Sequence, residues 1–599
     1  MPDLLPYVAE QPLVDHHCHG VLRRNADVAT LESMLSEGAG WPGGSVFDSQ
    51  AGLAFRRLCP PALGLPPHAE LGDYVARRAE LGTTEVSTRF LTATGASVLC
   101  VDTGYVPEPI TSPAELGDLA GATAHEIVRL ERVAEDVVAD GVGADGFADA
   151  VRSALATRTA SAVGVKSIAA YRTGLDLGAE RPTDSEVATA AGRWLASAQL
   201  KGAGPTRLAD ETLQRFLVWC GVDLRLPVQF HVGYGDSDVD LHRCNPLLLT
   251  PLLRAIQPTG VPVMLLHNYP SHREAGYLAQ VFPHVYVDAG LATHNLGGRA
   301  PALLAEALEL APYGKFLYSS DAFGLPELYY LGATLFRLAL SVFLRSGLEE
   351  DLFTERTAAR LARMLSALTT PSVLISSATR CNGGMRILSV NVGRPRPNPW
   401  KPVKLTGIDK RPVDGPVMVT VPGATGMGMV GLAGDRVYDV RHHGGPDQAV
   451  YAYAREDLDF WAAQLGRPLS NGMFGENLTT EGADVNGALI GERWRIGPDL
   501  ILEASCPRIP CGTFQGWLLQ AGWIKRFTLA ARPGSYFRVI EPGEIRAGDG
   551  IEIVHRPDHD VTVEMSLLAL TVEPELLPRL LAADALPREL KELARRRTA

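Results

Sequence analysis

The hydrophobic period of this chain changes abruptly near residue 369, and that break constrains the fold more than any other feature. Up to Leu368 the stretch ERTAARLARMLSAL (355–368) places Ala and Leu at helical spacing. From Arg386 the run RILSVNVG alternates in the manner of a strand and opens a region punctuated by Gly and Pro. Between them lies TTPSVLISSATRCNGGM (369–385), rich in Ser, Thr and Gly, which reads as a flexible connector. Two hydrophobic cores are implied, and 599 residues suffice for both. Met385 resembles an initiator, so the polypeptide reads like two genes joined end to end. The expected division is 1–368, a linker at 369–385, a body at 386–555 and a tail at 556–599.

In the first part, short β-branched runs alternate with helical segments. The expected strands are Val14–His19, Val98–Thr103, Ile127–Val133, Gly164–Ile168, Val228–Val232, Val261–Leu266, Val285–Asp288 and Phe316–Ser319. Eight strands separated by helices predict an α/β fold, a (β/α)8 TIM barrel. A doubly wound sheet would also alternate, but the Gly-x-Gly-x-x-Gly fingerprint is absent. The longest insertion, about Val21 to Gly95, follows strand 1 on the catalytic face and is expected to act as a substrate lid. The second part, from Arg386 to Val554, has short strands between Gly-rich turns and predicts an all-β barrel. From about Ser566 the pattern turns helical and predicts a small helical appendage.

Composition narrows the function classes. An apolar content of 46% excludes wholesale disorder. A net charge of −12, with no basic face beyond Arg595–Arg597, argues against a nucleic-acid binder. The N-terminus lacks a basic start and a signal-length apolar run. The longest apolar stretch, Tyr329–Leu344, carries Arg337 and reads as a buried helix rather than a membrane span. The eight cysteines form no C-x-x-C pair. A cytoplasmic chain with reduced thiols is expected. The partners expected are small molecules, with neither nucleic acid nor membrane, and the oligomeric state stays open.

Chemistry-bearing residues cluster at strand ends. Asp15-His16-His17-Cys18-His19 follows Leu13-Val14, and side chains at i and i+2 of a strand share a face, so His17 and His19 point together. Two converging imidazoles suit Zn²⁺, Fe²⁺ or Mn²⁺. His231 ends VQFHV, His267 ends VMLLHN and Asp321 ends FLYSSD. Each alone could be a hydrogen-bonded strand-end residue; four in order point to one metal centre. His16, His272, His284 and His294 lack that placement. This order resembles the metal-dependent amidohydrolase superfamily over residues 1–368. GVKSIAAYRTGL (164–175), DTGY (102–105) and SSDAFGLPELYY (319–330) are similar to the branch attached to glutamine-synthetase-like proteins. The resemblance implies His17, His19, His231 and Asp321 as ligands of a divalent metal, zinc foremost. It implies His267 as a second-metal ligand or carbonyl polariser. Asp321 would take the proton of the attacking water. Lys166 stands where two-metal members carry a carboxylated lysine; as an ammonium it would instead bind a substrate carboxylate, as would Arg172. Hydrolysis of an amide-type C–N bond is expected, with γ-glutamyl or other carboxylate-bearing amides preferred. Decarboxylation is the alternative.

Residues 386–599 carry GLAGDRVYDVRHHGGPDQAVYAY (431–453), FGENLTT (474–480), IGERWRIG (490–497) and CPRIPCGTF (506–514). Together they resemble a MOSC domain of the stand-alone bacterial type. The resemblance implies a molybdenum cofactor (molybdopterin), reduction of N-hydroxylated compounds and an external electron donor. The family also carries a pyridoxal-phosphate-binding label. Cys511 is the expected metal ligand, a thiolate beside Arg508 suiting a soft metal. His443, Gly444 and Gly445 would let the cofactor approach the backbone. Gly475 and Asn477 offer similar groups, Glu476 a partner for a basic group, and Arg436, Arg441 and Arg508 phosphate anchors. Cys506 is expected to be structural. The alternatives are a Cys511 persulfide carrier and a module that stores or delivers the cofactor.

Overall fold

The computed structural model describes residues 4–38, 43–201, 207–368, 385–423, 430–441 and 443–598. Two compact units result, Met1–Cys381 and Asn382–Ala599. The expected connector lies outside the described residues except for Met385.

In the first unit seven parallel strands follow one another in chain order: β1 (Leu13–Cys18), β2 (Ala96–Asp102), β3 (Thr123–Arg129), β4 (Gly164–Ser167), β5 (Val228–His231), β6 (Val263–Leu266) and β7 (Val285–Val287). This is a TIM-barrel-type sheet, with helices between the strands. Phe316–Ser319, expected as an eighth strand, makes only one isolated bridge, Val287 to Phe316. It nevertheless spans the gap between β7 and β1. Leu317 N donates to Val287 O (2.8 Å), His16 N to Tyr318 O (3.1 Å) and Asp321 N to His17 O (3.0 Å). A regular ladder fails because Asp15 Oδ1 captures Ser320 N (2.9 Å) and Asp321 turns left-handed at φ 50°. Ile127–Val133 also differs from expectation. β3 stops at Arg129, and Leu130–Ala139 is a helix with Leu130, Val133, Ala134 and Val137 on its buried face.

The insertion after β1 is built into the core. Its helices Gln50–Ala62, Leu71–Leu81 and Thr83–Ala93 bury Phe55, Tyr74 and Phe90. Tyr74 Oη and Arg78 Nε both donate to Glu327 Oε1, at 2.8 and 2.7 Å, on the long helix Pro326–Glu349. That helix is the apolar stretch of the sequence. Most of it is buried, and Arg337 within it donates to Thr94 O (2.6 Å) and Gln11 O (3.0 Å). The Arg78–Glu327 pair is enclosed, so removing one partner strands a buried charge. Glu327→Ala is expected to cost the first unit about 3–5 kcal/mol, read as a lower urea midpoint for its unfolding transition.

The second unit is a mixed sheet of eight strands. They are β8 (Arg386–Pro397), β9 (Leu405–Pro412), β11 (Val450–Ala454), β12 (Leu478–Glu481), β13 (Arg493–Ile496), β14 (Leu500–Pro507), β15 (Ser535–Glu541) and β17 (Ile551–His555). A separate pair joins β10 (Val417–Val419) to β16 (Gly543–Ile545). The eight run in the order β17-β13-β14-β15-β11-β12-β8-β9, antiparallel except for β11 with β12. One face buries Ile387, Trp494, Leu502 and Phe537. A second cluster, Tyr453, Trp461, Phe474, Phe514, Trp523 and Phe527, seats the helices Gly512–Leu518 and Trp523–Ala530. The tail is helical as expected, and its Leu570, Leu577, Leu580, Leu586 and Ala594 join the first of these cores.

Candidate functional site

The barrel gathers its strand-end residues at one rim. His17, His19 and Asp321 present ligand atoms that all lie within 4.8 Å of one another. Asp321 Oδ1 is 3.2 Å from His17 Nε2 and 3.5 Å from His19 Nε2, while Oδ2 is 3.4 Å from His267 Nε2. Zn–N and Zn–O bonds of 2.0–2.2 Å in a tetrahedron put donor atoms about 3.3–3.6 Å apart, close to the separations of Asp321 Oδ1 from both imidazoles. The His231 ring lies 4.9 Å from that of His267. His231 Nε2 and both ring nitrogens of His267 are buried without a hydrogen-bond partner. Orphaned imidazole nitrogens beside a carboxylate are the chemistry of a vacant-valence donor set.

The electrostatics favour ligand-ready forms. Burial, reinforced by Lys166, pulls His17 down to about 4 and His231 to about 3. Burial also holds His267 well below the ordinary histidine range. Asp321 stays ionised: burial would raise it, but His267, His17 and His19 hold it well below the usual carboxylate range. Lys166 is 2% exposed, with Nζ 3.3 Å from His17 Nε2, and burial lowers it to about 8.

Supporting contacts orient the donors. Gln229 Oε1 meets His17 Nδ1 (2.8 Å), and its amide donates to His16 O (2.8 Å). His19 Nδ1 meets Asp102 O (3.1 Å). His16, left outside the expected donor set, pairs through Nε2 with Asp288 Oδ2 (2.8 Å). The same carboxylate accepts Ser319 Oγ (2.6 Å) and the backbone N–H of His267 (2.6 Å). His267 needs that grip, since its φ of 62° is a left-handed conformation that a side-chain-bearing residue rarely holds. Glycine is required opposite it, because a Cβ on Gly290 would sit 2.2 Å from His267 Nδ1. Asp288→Ala is expected to weaken metal binding about 10- to 100-fold, measured by chelator competition, with Asp288→Asn retaining more.

The second unit offers a cleft of about 740 Å³, counting its open mouth, lined by Lys401, Arg436, His443, Gly444, Tyr451, Asn477, Arg508 and Cys511 among others. Cys511 sits at the N-terminal edge of the Gly512–Leu518 helix. Burial would raise its thiol, but a hydrogen bond from His443 and the charges of Arg508 and Lys401 bring it down to about 6. Gly444 and Gly445 have φ of 87° and 86°, so no side chain blocks this approach to the backbone. The thiolate, the basic lining and the open glycine turn fit a soft metal carried by an anionic pterin.

Family models described as Amidohydrolase and as MOSC domain match residues 121–361 and 439–552 respectively. A Lactobacillus casei ATCC 334 crystal structure, described as a candidate metal-dependent hydrolase, is 30% identical; the match covers 62% of this chain and 96% of that one, with a TM-score of 0.55. Protein YflK of Bacillus subtilis (strain 168) is 33% identical over 181 residues, 30% of this chain and 78% of YflK. The chain belongs to both families. Protein fluG of Emericella nidulans is 37% identical over 190 residues, which are only 21% of its own length.

In the amidohydrolase barrel, Arg172 does not face the donors. It pairs with Glu135 (3.1 Å), while its neighbour Tyr171 lies against His231 with ring centroids 4.5 Å apart. Successive residues of the short helix Ala169–Arg172 diverge by about 100°, so only one of the two faces the site. Sequence reasoning missed Asp102 and Arg129, at the ends of β2 and β3. Arg129 binds Asp102 through Nε (3.1 Å) and Nη2 (2.6 Å) and lies 5.7 Å over the Tyr105 ring. The signal was there, a charged residue closing each strand, but β3 was expected to run on to Val133.

In the MOSC domain, three expected binding groups are engaged inside the protein. Glu476 is wholly buried and accepts from Gly472 N (2.5 Å), Phe474 N (2.9 Å) and Thr479 Oγ1 (3.0 Å), so it braces its own loop instead of meeting a ligand amine. Asn477 donates to Asp435 Oδ2 (2.7 Å) and accepts from Tyr451 N (3.1 Å). Arg508 donates to Phe474 O and lies 4.0 Å over the Phe514 ring, which makes it a charge behind Cys511 more than a free anchor. Arg436 lines the cleft; Arg441 is exposed outside that lining. Cys506 is buried, and its thiol is pushed up to about 12. Alkylation of Cys511 in cofactor-free protein should accordingly rise through pH 6 and level off by neutrality, with the midpoint moving up in His443→Ala. Peptide mapping after iodoacetamide pulses reads it directly.

Proposed function

We propose that the amidohydrolase barrel hydrolyses an amide-type C–N bond at a divalent ion, zinc foremost. We further propose that the MOSC domain binds a molybdenum cofactor through Cys511 and reduces N-hydroxylated compounds. The observation that carries the first reading is the triad of His17, His19 and Asp321 with the orphaned nitrogens of His231 and His267 around it. When bound, the ion supplies Lewis acidity and a water acidified towards neutrality. His17 and His19 would hold it as neutral imidazoles, with Asp321 and His231 completing the set. Asp321, ionised throughout the neutral range, takes a proton from the attacking water and passes it to the leaving nitrogen. His267 orients the scissile carbonyl. Lys166, enclosed beside His17, would become a ligand only on carboxylation; as an ammonium it would meet a substrate carboxylate.

γ-Glutamyl amides are the first substrates to test. Zinc-loaded full-length protein is expected to release the amine, and chelation to abolish release. Carbon dioxide from carboxylated substrates, with no amine, would establish the decarboxylase alternative. For the MOSC domain, the thiolate of Cys511 in a basic cleft supports the reading. Molybdenum-loaded protein should reduce a hydroxylamine to the amine when supplied with electrons. Cofactor retention or persulfide formation without reduction would mark a carrier.

A further inference from the structure

We infer that the C-terminal end of the Cys511-bearing helix and the start of the next one form the docking face for an acidic, flavin-bearing electron-donor protein. This rests on the reductase reading of the MOSC domain. From Ala504 to Ile540 the chain contains no Asp or Glu, although its net charge is −12. The same segment carries Arg508, Lys525, Arg526, Arg532 and Arg538. Three of these are used internally. Arg508 meets Phe474 O, Arg532 pairs with Asp457 and Arg538 pairs with Asp447 and Glu503. Lys525 and Arg526 are exposed on the helix Trp523–Ala530. A further exposed base, Arg467, places Nη2 2.9 Å from Leu518 O, at the end of the Cys511 helix.

Next to Leu518, and a few residues before Lys525 and Arg526, stands Leu519, 79% exposed and held at φ 56°. A turn there would be met at less strain by glycine, and a leucine in water gains nothing by being exposed. Ile524 (38%) and Ile509 (46%) are exposed on either side in the chain. Trp400, itself partly exposed, lies flat on Gly516, where a Cβ would come within 2.3 Å of the indole. Exposed apolar side chains with bases beside them and no acid along the same segment are the complement of an acidic protein surface, and such charge patterns steer association. Leu519 is eight residues from Cys511, about 12 Å at 1.5 Å per residue, so a partner seated there would lie close to the centre it feeds.

The chemistry sets what the donor must supply. Reduction of R–NHOH breaks the N–O bond, consumes two electrons and two protons and releases R–NH2 and water. A flavin hydroquinone oxidised to flavin supplies both electrons, in one or two steps, and the two protons come from its ring or from solvent.

The test uses cofactor-loaded full-length protein with reduced flavodoxin as the acidic probe. Its reoxidation by hydroxylamine is expected to slow tenfold or more in Lys525→Glu/Arg526→Glu and in Leu519→Asp, and to slow in the wild type as salt rises. Reduction driven by dithionite should stay unchanged in the same variants, showing an intact centre. Flavodoxin binding, followed by fluorescence anisotropy with or without cofactor, should weaken in parallel. Variants that match the wild type with flavodoxin, or a wild type that does not bind it, overturn the proposal. So does a concentration-dependent dimer abolished by Leu519→Asp, which would assign the face to a second copy of this chain. Flavodoxin binding that persists where dithionite drives no reduction would keep the docking face and sink the reductase reading.

Discussion

Asp321→Asn is expected to reduce amide hydrolysis by about 10²- to 10⁴-fold, equivalent to about 3–5 kcal/mol of barrier. The substitution preserves shape and leaves an oxygen near His17 and His19, but removes the negative charge and the ability to take a proton. Because Asp321 Oδ1 also faces both imidazoles of the triad, at 3.2 and 3.5 Å, metal affinity should fall as well. The two effects separate when turnover is measured at saturating zinc: a residual deficit in kcat then reports the lost proton transfer. Acid should act on the same centre from the histidine side. In metal-free protein His17 takes up a proton only as the pH falls toward about 4. The donor set is therefore fully available at neutral pH and is lost on acidification. An Asp321→Asn enzyme with unchanged kcat would remove the carboxylate from the reaction.

Cys511→Ala is expected to empty the MOSC domain of molybdenum and abolish hydroxylamine reduction. The sulfur is the soft donor of the cleft, and it is held near the thiolate form by His443, Arg508 and Lys401. Alanine leaves the pterin only the polar and charged contacts of the cleft, without a bond to the metal. The fold should survive, since Phe514 and Leu518 anchor the helix that follows Cys511. Elemental analysis and pterin fluorescence of purified variant and wild type provide the comparison, with circular dichroism as the control for folding. A variant that keeps stoichiometric molybdenum would move the ligand elsewhere in the cleft.

Much of this was legible in local patterns. The His-x-His of β1 faces one way because strand side chains alternate, and His231, His267 and Asp321 each close an apolar run. The Pro-Arg-Ile-Pro-Cys turn (507–511) pointed to Cys511 only in company with the three motifs that precede it in the chain. Boundaries were less readable where periods are ambiguous, as in IVRLERVAEDVV, whose apolar residues suit a strand at first and a helix thereafter. Asp288 and His16 were invisible as partners because 272 positions separate them in sequence.

The chain's own periodicity and strand-end chemistry determined that there are two cores, which residues tip the strands and which metals such donors prefer. Only the closed barrel decided which of those residues meet. Residues 316–322 close the gap beside β1 through backbone hydrogen bonds, and that closure brings Asp321 to His17, while the short helix after β4 sends Arg172 to Glu135. The reason is physical: alternation and helical spacing are set by neighbours a few residues apart, whereas register between distant segments is set by packing the whole core at once.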